Sequence, residues 1–175
     1  GRGVEGHYQQ VPLYSALARG REGDRWSRDY ARRVSANLDD LVFRQARVED
    51  IARILAFWAD AAENDARPSD DAATVEALVL RDAMALEIVV QQERVVGTLI
   101  SGWDGWRAHL YRLAVHPELR GRGIAGELLR RAEDRLMRLG ARRLDAMVLE
   151  QNGLGQSFWA AAEFSPQSEW RRWVR

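Results

Sequence analysis

Between Leu110 and Gly126 the chain reads Leu-Tyr-Arg-Leu-Ala-Val-His-Pro-Glu-Leu-Arg-Gly-Arg-Gly-Ile-Ala-Gly. That is an apolar, strand-like run, a His116-Pro117 stop, a glycine loop and a helix start. Gly121 and Gly123 let the backbone approach a ligand closely. The helix behind them directs unpaired N–H groups and a partial positive charge at whatever sits there. Such a place binds anions, and a pyrophosphate is its natural guest. The backbone N–H groups of Gly121, Arg122, Gly123, Ile124 and Ala125 are the candidate cradle. Arg120 and Arg122 add fixed charge, and the arginine fork suits phosphate.

Two pyrophosphate readings compete. Gly121-Arg122-Gly123-Ile124-Ala125-Gly126 also fits the Gly-x-Gly-x-x-Gly fingerprint of dinucleotide-binding folds. In those folds the glycine turn follows its strand at once, and an acid ends the next strand. Here His116 to Arg120 intervene. Glu150 can mimic the acid, but antiparallel strands precede the loop and a second βαβ half is missing. A dinucleotide-binding oxidoreductase fragment is therefore the remote alternative. A further match, Gly1-Arg2-Gly3-Val4-Glu5-Gly6, follows no strand and is set aside.

Composition narrows the classes. The chain has 175 residues, 46% apolar and 30% charged, which fits one soluble globular domain with a sizeable core. No run approaches the ~18 apolar residues of a membrane span, and no secretory signal opens the chain. A cytoplasmic protein with no membrane partner is expected. Acidic and basic residues balance at 26 each, which argues against a nucleic-acid surface. Cysteine is absent, so disulfides, cysteine–zinc sites and thiol catalysis are excluded, and no metal site is expected. All 26 basic residues are Arg, which excludes Schiff-base and Walker-type lysine chemistry.

The elements that must position the loop follow from periodicity. Residues 1–40 are polar and Arg-rich, with Trp26, Tyr30, Val34 and Leu38 on one helical face. A helical arm or tail is expected there, and the Gly start suggests that its first residues are in part a cloning remnant. Leu41 to Ala46 reads as a strand. Ile51, Ile54, Leu55 and Trp58 mark a helix behind Asp50. Pro68-Ser69-Asp70-Asp71 starts another, running through Val75, Leu78 and Val79 towards Met84. Leu86 to Val90, Val95 to Trp103 and Trp106 to Val115 form a meander turned at Gln92-Glu93-Arg94 and Asp104-Gly105. Ile124, Leu128, Leu129, Ala132, Leu136 and Leu139 line a strong helix that ends at Gly140. Leu144 to Leu149 is a strand, Asn152 opens a short helix to about Ala162, and Glu169 to Val174 is a last strand. The order predicts an α/β (α+β) domain over 41–175: a mixed, mostly antiparallel sheet with helices on both faces.

With these residues in place, the chain resembles the GCN5-related N-acetyltransferase (GNAT) family. Arg120-x-x-Gly123-x-Ala125 fits the family's Gln/Arg-x-x-Gly-x-Gly/Ala signature, Leu113 to Glu118 the strand and turn before it, and Asn152, Phe158 and Phe164 the C-terminal motif. The resemblance covers roughly Leu41 to Arg175. It implies acetyl-CoA as donor, a primary amine as acceptor, and direct attack of the amine on the thioester. The strand at Leu113, Ala114 and Val115 would splay from the strand at Leu144 to Leu149, often at a bulge. Its unpaired backbone groups would take the pantetheine amides. A backbone N–H near Val115 would stabilise the thioester oxygen as charge develops. Asn152 and Phe158 would line the cofactor's other side.

A base must take a proton from the ammonium. His109 is the first candidate, six residues before Val115, where histone-acetyltransferase members of the family place a glutamate. Free imidazole titrates near pH ~6.5, which suits the task. Glu150 is second and Asp104 third, each also readable as an ordinary loop or turn carboxylate. Two departures from the family pattern bear on mechanism. Trp159 stands where many members have a tyrosine acid, so Tyr111 or water would protonate the thiolate. That departure motivates an alternative of another class, a coenzyme A-binding sensor or non-catalytic interaction domain. Glu163 stands where the family has Gly, so the last helix is expected to finish differently. Trp58, Trp103, Trp106, Trp159, Trp170 and Trp173 are candidates for an acceptor cleft or a dimer surface. The expected acceptor is a small-molecule amine, with a protein N-terminus second, and the expected assembly is a homodimer.

Overall fold

The computed structural model describes residues 38–61, 70–169 and 173. Their order is strand β1 (Val42–Gln45), helices α1 (Ile51–Asp60) and α2 (Ala72–Arg81), strands β2 (Leu86–Gln91), β3 (Arg94–Trp103) and β4 (Ala108–Val115), helix α3 (Ile124–Arg138), strand β5 (Leu144–Ala146) and helix α4 (Gly153–Ala161). The strands form one sheet in sequence order. β1 to β4 pair antiparallel, and β5 joins β4 in parallel. This is the mixed, mostly antiparallel sheet that the residue pattern implies. The arm helix expected within 1–40 lies outside the described residues except for Leu38, which packs on the core. The strand expected at Glu169–Val174 also falls largely outside them, and Glu169 itself sits in a turn.

Apolar residues three and four apart give each helix one buried stripe. Ile54, Phe57, Val75 and Val79 of α1 and α2 bury against Leu86, Ile88 and Val95 on one sheet face. Leu128, Ala132 and Leu136 of α3 bury against Val89, Val96, Leu99 and Leu110 on the other, with Phe158 and Trp159 of α4 beside them. Asp71 caps α2 by accepting the Thr74 N–H (2.9 Å). The helix stops at Arg81, so Met84 lies beyond it and half exposed. The β2–β3 turn is tighter than Gln92-Glu93-Arg94. Only Gln92 (φ 46°) and Glu93 (φ 70°) form it, both left-handed as a two-residue hairpin demands, while Arg94 pairs with Gln91.

Both long-sheet helices on the α3 face end alike. In α3, the N–H groups of Gly140 and Ala141 return to the carbonyls of Met137 and Leu136 (3.0 Å each). In α4, Glu163 and Phe164 do the same to Ala160 (3.1 Å) and Trp159 (2.9 Å). The different ending expected from Glu163 is not adopted. Glu163 takes the left-handed turn itself, at φ 65°, because two hydrogen bonds and the edge-on Trp159–Phe164 contact (4.7 Å between centroids) hold it there. A side chain at that φ is strained by about 1 kcal/mol. Glu163→Gly is therefore expected to raise stability by about 0.5 kcal/mol at most once the entropy of the freer unfolded chain is counted, read as a slightly higher denaturant midpoint at unchanged slope.

Candidate active site

The glycine loop sits between a short 3-10 turn at Pro117–Leu119 and α3. Gly121 (φ 78°) and Gly123 (φ 88°) both take left-handed backbone, which only glycine adopts freely. Gly123 is the residue before α3, and the first amide turned inward to the helix is that of Glu127, donating to the Gly123 carbonyl (3.0 Å). The N–H groups of Gly121, Gly123, Ile124 and Ala125 find no carbonyl among the described residues. The Arg120 N–H is engaged, by Pro117 O at 3.3 Å, and its Nε donates to Val115 O, also at 3.3 Å. Arg122 turns its guanidinium to Asp40 (2.7 Å). That contact, with a Gln91 amide, holds the Asp40 carboxyl below the usual range. So the cradle is backbone, and the Arg122 charge is shared with Asp40.

Next to the loop, β4 and β5 part. Their ladder ends at Leu110–Ala146, although the apolar run predicted a strand to Leu149. The cause lies in β4. Thr98 pairs with Ala114 but Ile100 with Tyr111, so Arg112 and Leu113 together face Leu99 alone. This is a β-bulge, and Arg112 carries it at φ 50°. Past the bulge, β4 no longer tracks β5. The His116 N–H donates to Val96 O (2.8 Å). Amides two apart share a side, so Ala114 turns towards β3, while Leu113 and Val115 turn their backbone groups to the side that β5 has left.

The side chains of Leu113 and Val115 pack on the α3 face and Ala114 on the other. The face bearing α1 and α2 also carries His109 and Tyr111, whose rings lie 5.9 Å apart. His109 Nδ1 is 3.6 Å from Asp145 Oδ2, its neighbour across the β4–β5 ladder, and Arg143 holds the other Asp145 oxygen at 3.0 Å. Asp145 was not legible as a partner, because nothing in the letters pairs 109 with 145.

The remaining candidates scatter. Glu150 is exposed in a turn, and its carbonyl accepts from Gln156 Nε2 (2.6 Å). Asp104 accepts the N–H groups of Trp106 (2.7 Å) and Arg107 (2.6 Å), which lower its pKa. It is turn chemistry. Asn152 caps α4, accepting the Gly155 N–H (2.7 Å), so its Oδ1 is occupied. Phe158 is half-buried in the α3-face cluster, edge-on to Trp159 (5.2 Å). Trp58 is core, whereas Trp106 is exposed. A cavity of about 150 Å³ lies elsewhere, under the later turns of α3, lined by Glu87, Ser101, Arg131 and Arg135. Among the described residues, no cluster of metal-ligating side chains occurs, and no helix is long and apolar enough to cross a membrane.

The glycine loop thus lies ahead of a helix and beside two parting strands, in a mixed sheet covered by helices on both faces. Residues 48–164 match the model of the acetyltransferase (GNAT) family, and the chain belongs to that family. Solved structures share its fold. Ard1 from Thermoplasma volcanium is 14% identical, with a TM-score of 0.65 over 74% of this chain and 85% of that one. The PaiA N-acetyltransferase from Thermoplasma acidophilum, in complex with coenzyme A, is 17% identical, with a TM-score of 0.63 over 70% and 87%. The yncA protein from Salmonella typhimurium, solved with its cofactor acetyl-CoA, is 21% identical, with a TM-score of 0.61 over 73% and 80%.

Proposed function

We propose that this chain moves the acetyl group of acetyl-CoA to the primary amine of a small molecule. The carrying observation is the set of uncommitted N–H groups at Gly121, Gly123, Ile124 and Ala125, beside a β4 edge that β5 has left. Acetyl-CoA supplies an acetyl group activated as a thioester. The loop amides, with Arg122's among them, bind its pyrophosphate, and Arg120 adds charge. The edge groups of Leu113 and Val115, with Ala114 between them, receive the pantetheine amides as a strand would. An N–H near Val115 donates to the thioester oxygen. Asn152, through its free amide end, and Phe158 line the far side.

His109 takes the ammonium proton, with Asp145 orienting its ring. At about 3.3 Å per residue, six positions of strand separate it from Val115 by on the order of 20 Å, so the proton travels through water. Tyr111, on the same face, returns a proton to the thiolate. Glu150, in its exposed turn, is the second base. Calorimetric titration with acetyl-CoA tests the donor, and the absence of heat at millimolar ligand refutes it. His109→Ala is expected to lower turnover about 100-fold and to flatten the acid limb of the pH–rate profile. An unchanged profile moves the base to Glu150 or water.

One observation favours a second reading, a coenzyme A-binding sensor without turnover. Trp159, in place of the tyrosine that family resemblance leads one to expect, is wedged between Phe158 and Phe164 and has no acidic proton to give. Thiol release with any member of an amine panel eliminates that reading.

A further inference from the structure

The β4 bulge is locked by a buried hydroxyl. Thr98 is fully buried. Its Oγ1 accepts from Trp58 Nε1 (2.9 Å) and donates to the carbonyl of Arg112 (2.7 Å). The Arg112 guanidinium stacks over the Trp58 ring at 5.3 Å and pairs with Asp70 just ahead of α2. A non-glycine residue at φ 50° persists only where its surroundings over-determine it, and here both its carbonyl and its side chain are held. The bulge also fixes direction. Removing the extra residue from the register would shift β4 by one and turn the amides of Leu113 and Val115 away from the open edge.

We propose that Thr98, backed by Trp58, is a positioning residue for the acetyl thioester: it holds the β4 bulge in the register that aims the edge amides at the ligand's carbonyl. The inference rests on the proposed acetyl-CoA reading. Thr98 touches no ligand and acts through the Arg112 carbonyl. CoA and acetyl-CoA share the pyrophosphate and the pantetheine, so the difference between their affinities reports on the acetyl thioester alone.

The test is equilibrium binding of acetyl-CoA and of CoA to the full chain. Wild type is expected to prefer acetyl-CoA about fivefold, the worth of one net hydrogen bond. Thr98→Val is expected to weaken both ligands through the pantetheine they share and acetyl-CoA further, bringing the two affinities within about twofold, and Thr98→Ser to restore the preference. Trp58→Phe keeps the ring and deletes the donor. It is expected to lose part of the preference, and it carries the test if the valine variant does not fold. Arg112→Gly keeps the carbonyl and suits φ 50°, so it is expected to lose stability but keep the preference. A wild type without preference, a preference that survives in Thr98→Val or in Trp58→Phe, or equal losses for both ligands would overturn the proposal. A wild type that binds neither ligand refutes the functional reading itself.

Discussion

Asp50→Asn is expected to destabilise the protein by about 3 kcal/mol. The Asp50 side chain is wholly buried at the junction of β1 and α1. Arg44 grips it with two hydrogen bonds (2.6 and 2.8 Å), Arg53 with a third (2.5 Å), and the Arg47 N–H with a fourth (2.9 Å). One carboxylate thus ties strand, turn and helix. Removing its charge strands two guanidiniums that face each other, and their partial exposure keeps the cost near the lower end for a broken buried pair.

The same site sets the acid limb of stability. The Arg44 hydrogen bonds hold the Asp50 carboxyl down at about 2, against an ordinary 3.8. A depressed carboxyl contributes stability above its unfolded value and loses it as pH falls through the folded one. Wild type is therefore expected to lose about 2 kcal/mol between pH 4 and 2 through this group, and Asp50→Asn to lose none of it. Glu87 and Glu133 act in the opposite direction, since burial raises both. They favour the folded state as they take up protons, so the limb specific to Asp50 is read as the difference between the two proteins' curves.

What the letters revealed depends on how local each cause is. The glycine loop was legible because left-handed backbone at 121 and 123 and the helix behind it are dictated by residues next to one another. The helix stripes and the meander were legible for the same reason. The bulge was expected only through the family resemblance and not from the residues themselves, because its lock joins Trp58, Thr98 and Arg112 across the chain. One signal did exist. Leu110, Leu113 and Val115 share a sheet face, a spacing of three and then two, which breaks the alternation of a regular strand. The shortened β5 follows from the same bulge, since a strand cannot announce where its partner will leave it. At Glu163 the letters argued against a left-handed turn, and hydrogen bonds to Trp159 and Ala160 overrode them.

Gly121→Asp is expected to weaken acetyl-CoA binding about 100-fold while leaving the fold intact. The two expectations come from separate features. A Cβ at 121 meets no atom within 4 Å, and Asp is among the few side chains that tolerate φ near 78°. The thermal midpoint should therefore fall only slightly. The ligand's diphosphate brings two negative charges to amides that find no carbonyl among the described residues, and a fixed carboxylate in the loop opposes both. At a separation of about 6 Å and an effective dielectric constant of about 40, that repulsion is worth about 2–3 kcal/mol. Arg122 cannot cancel it fully, because Asp40 already holds its guanidinium. Gly121→Asn has the same shape and no charge, so it should lose far less. Equal losses in the two variants, measured by calorimetry with acetyl-CoA, would mean that the loop's shape and not its charge preference governs binding. Rising salt should narrow the gap between Asp and Asn, since it screens a repulsion that only the Asp variant has.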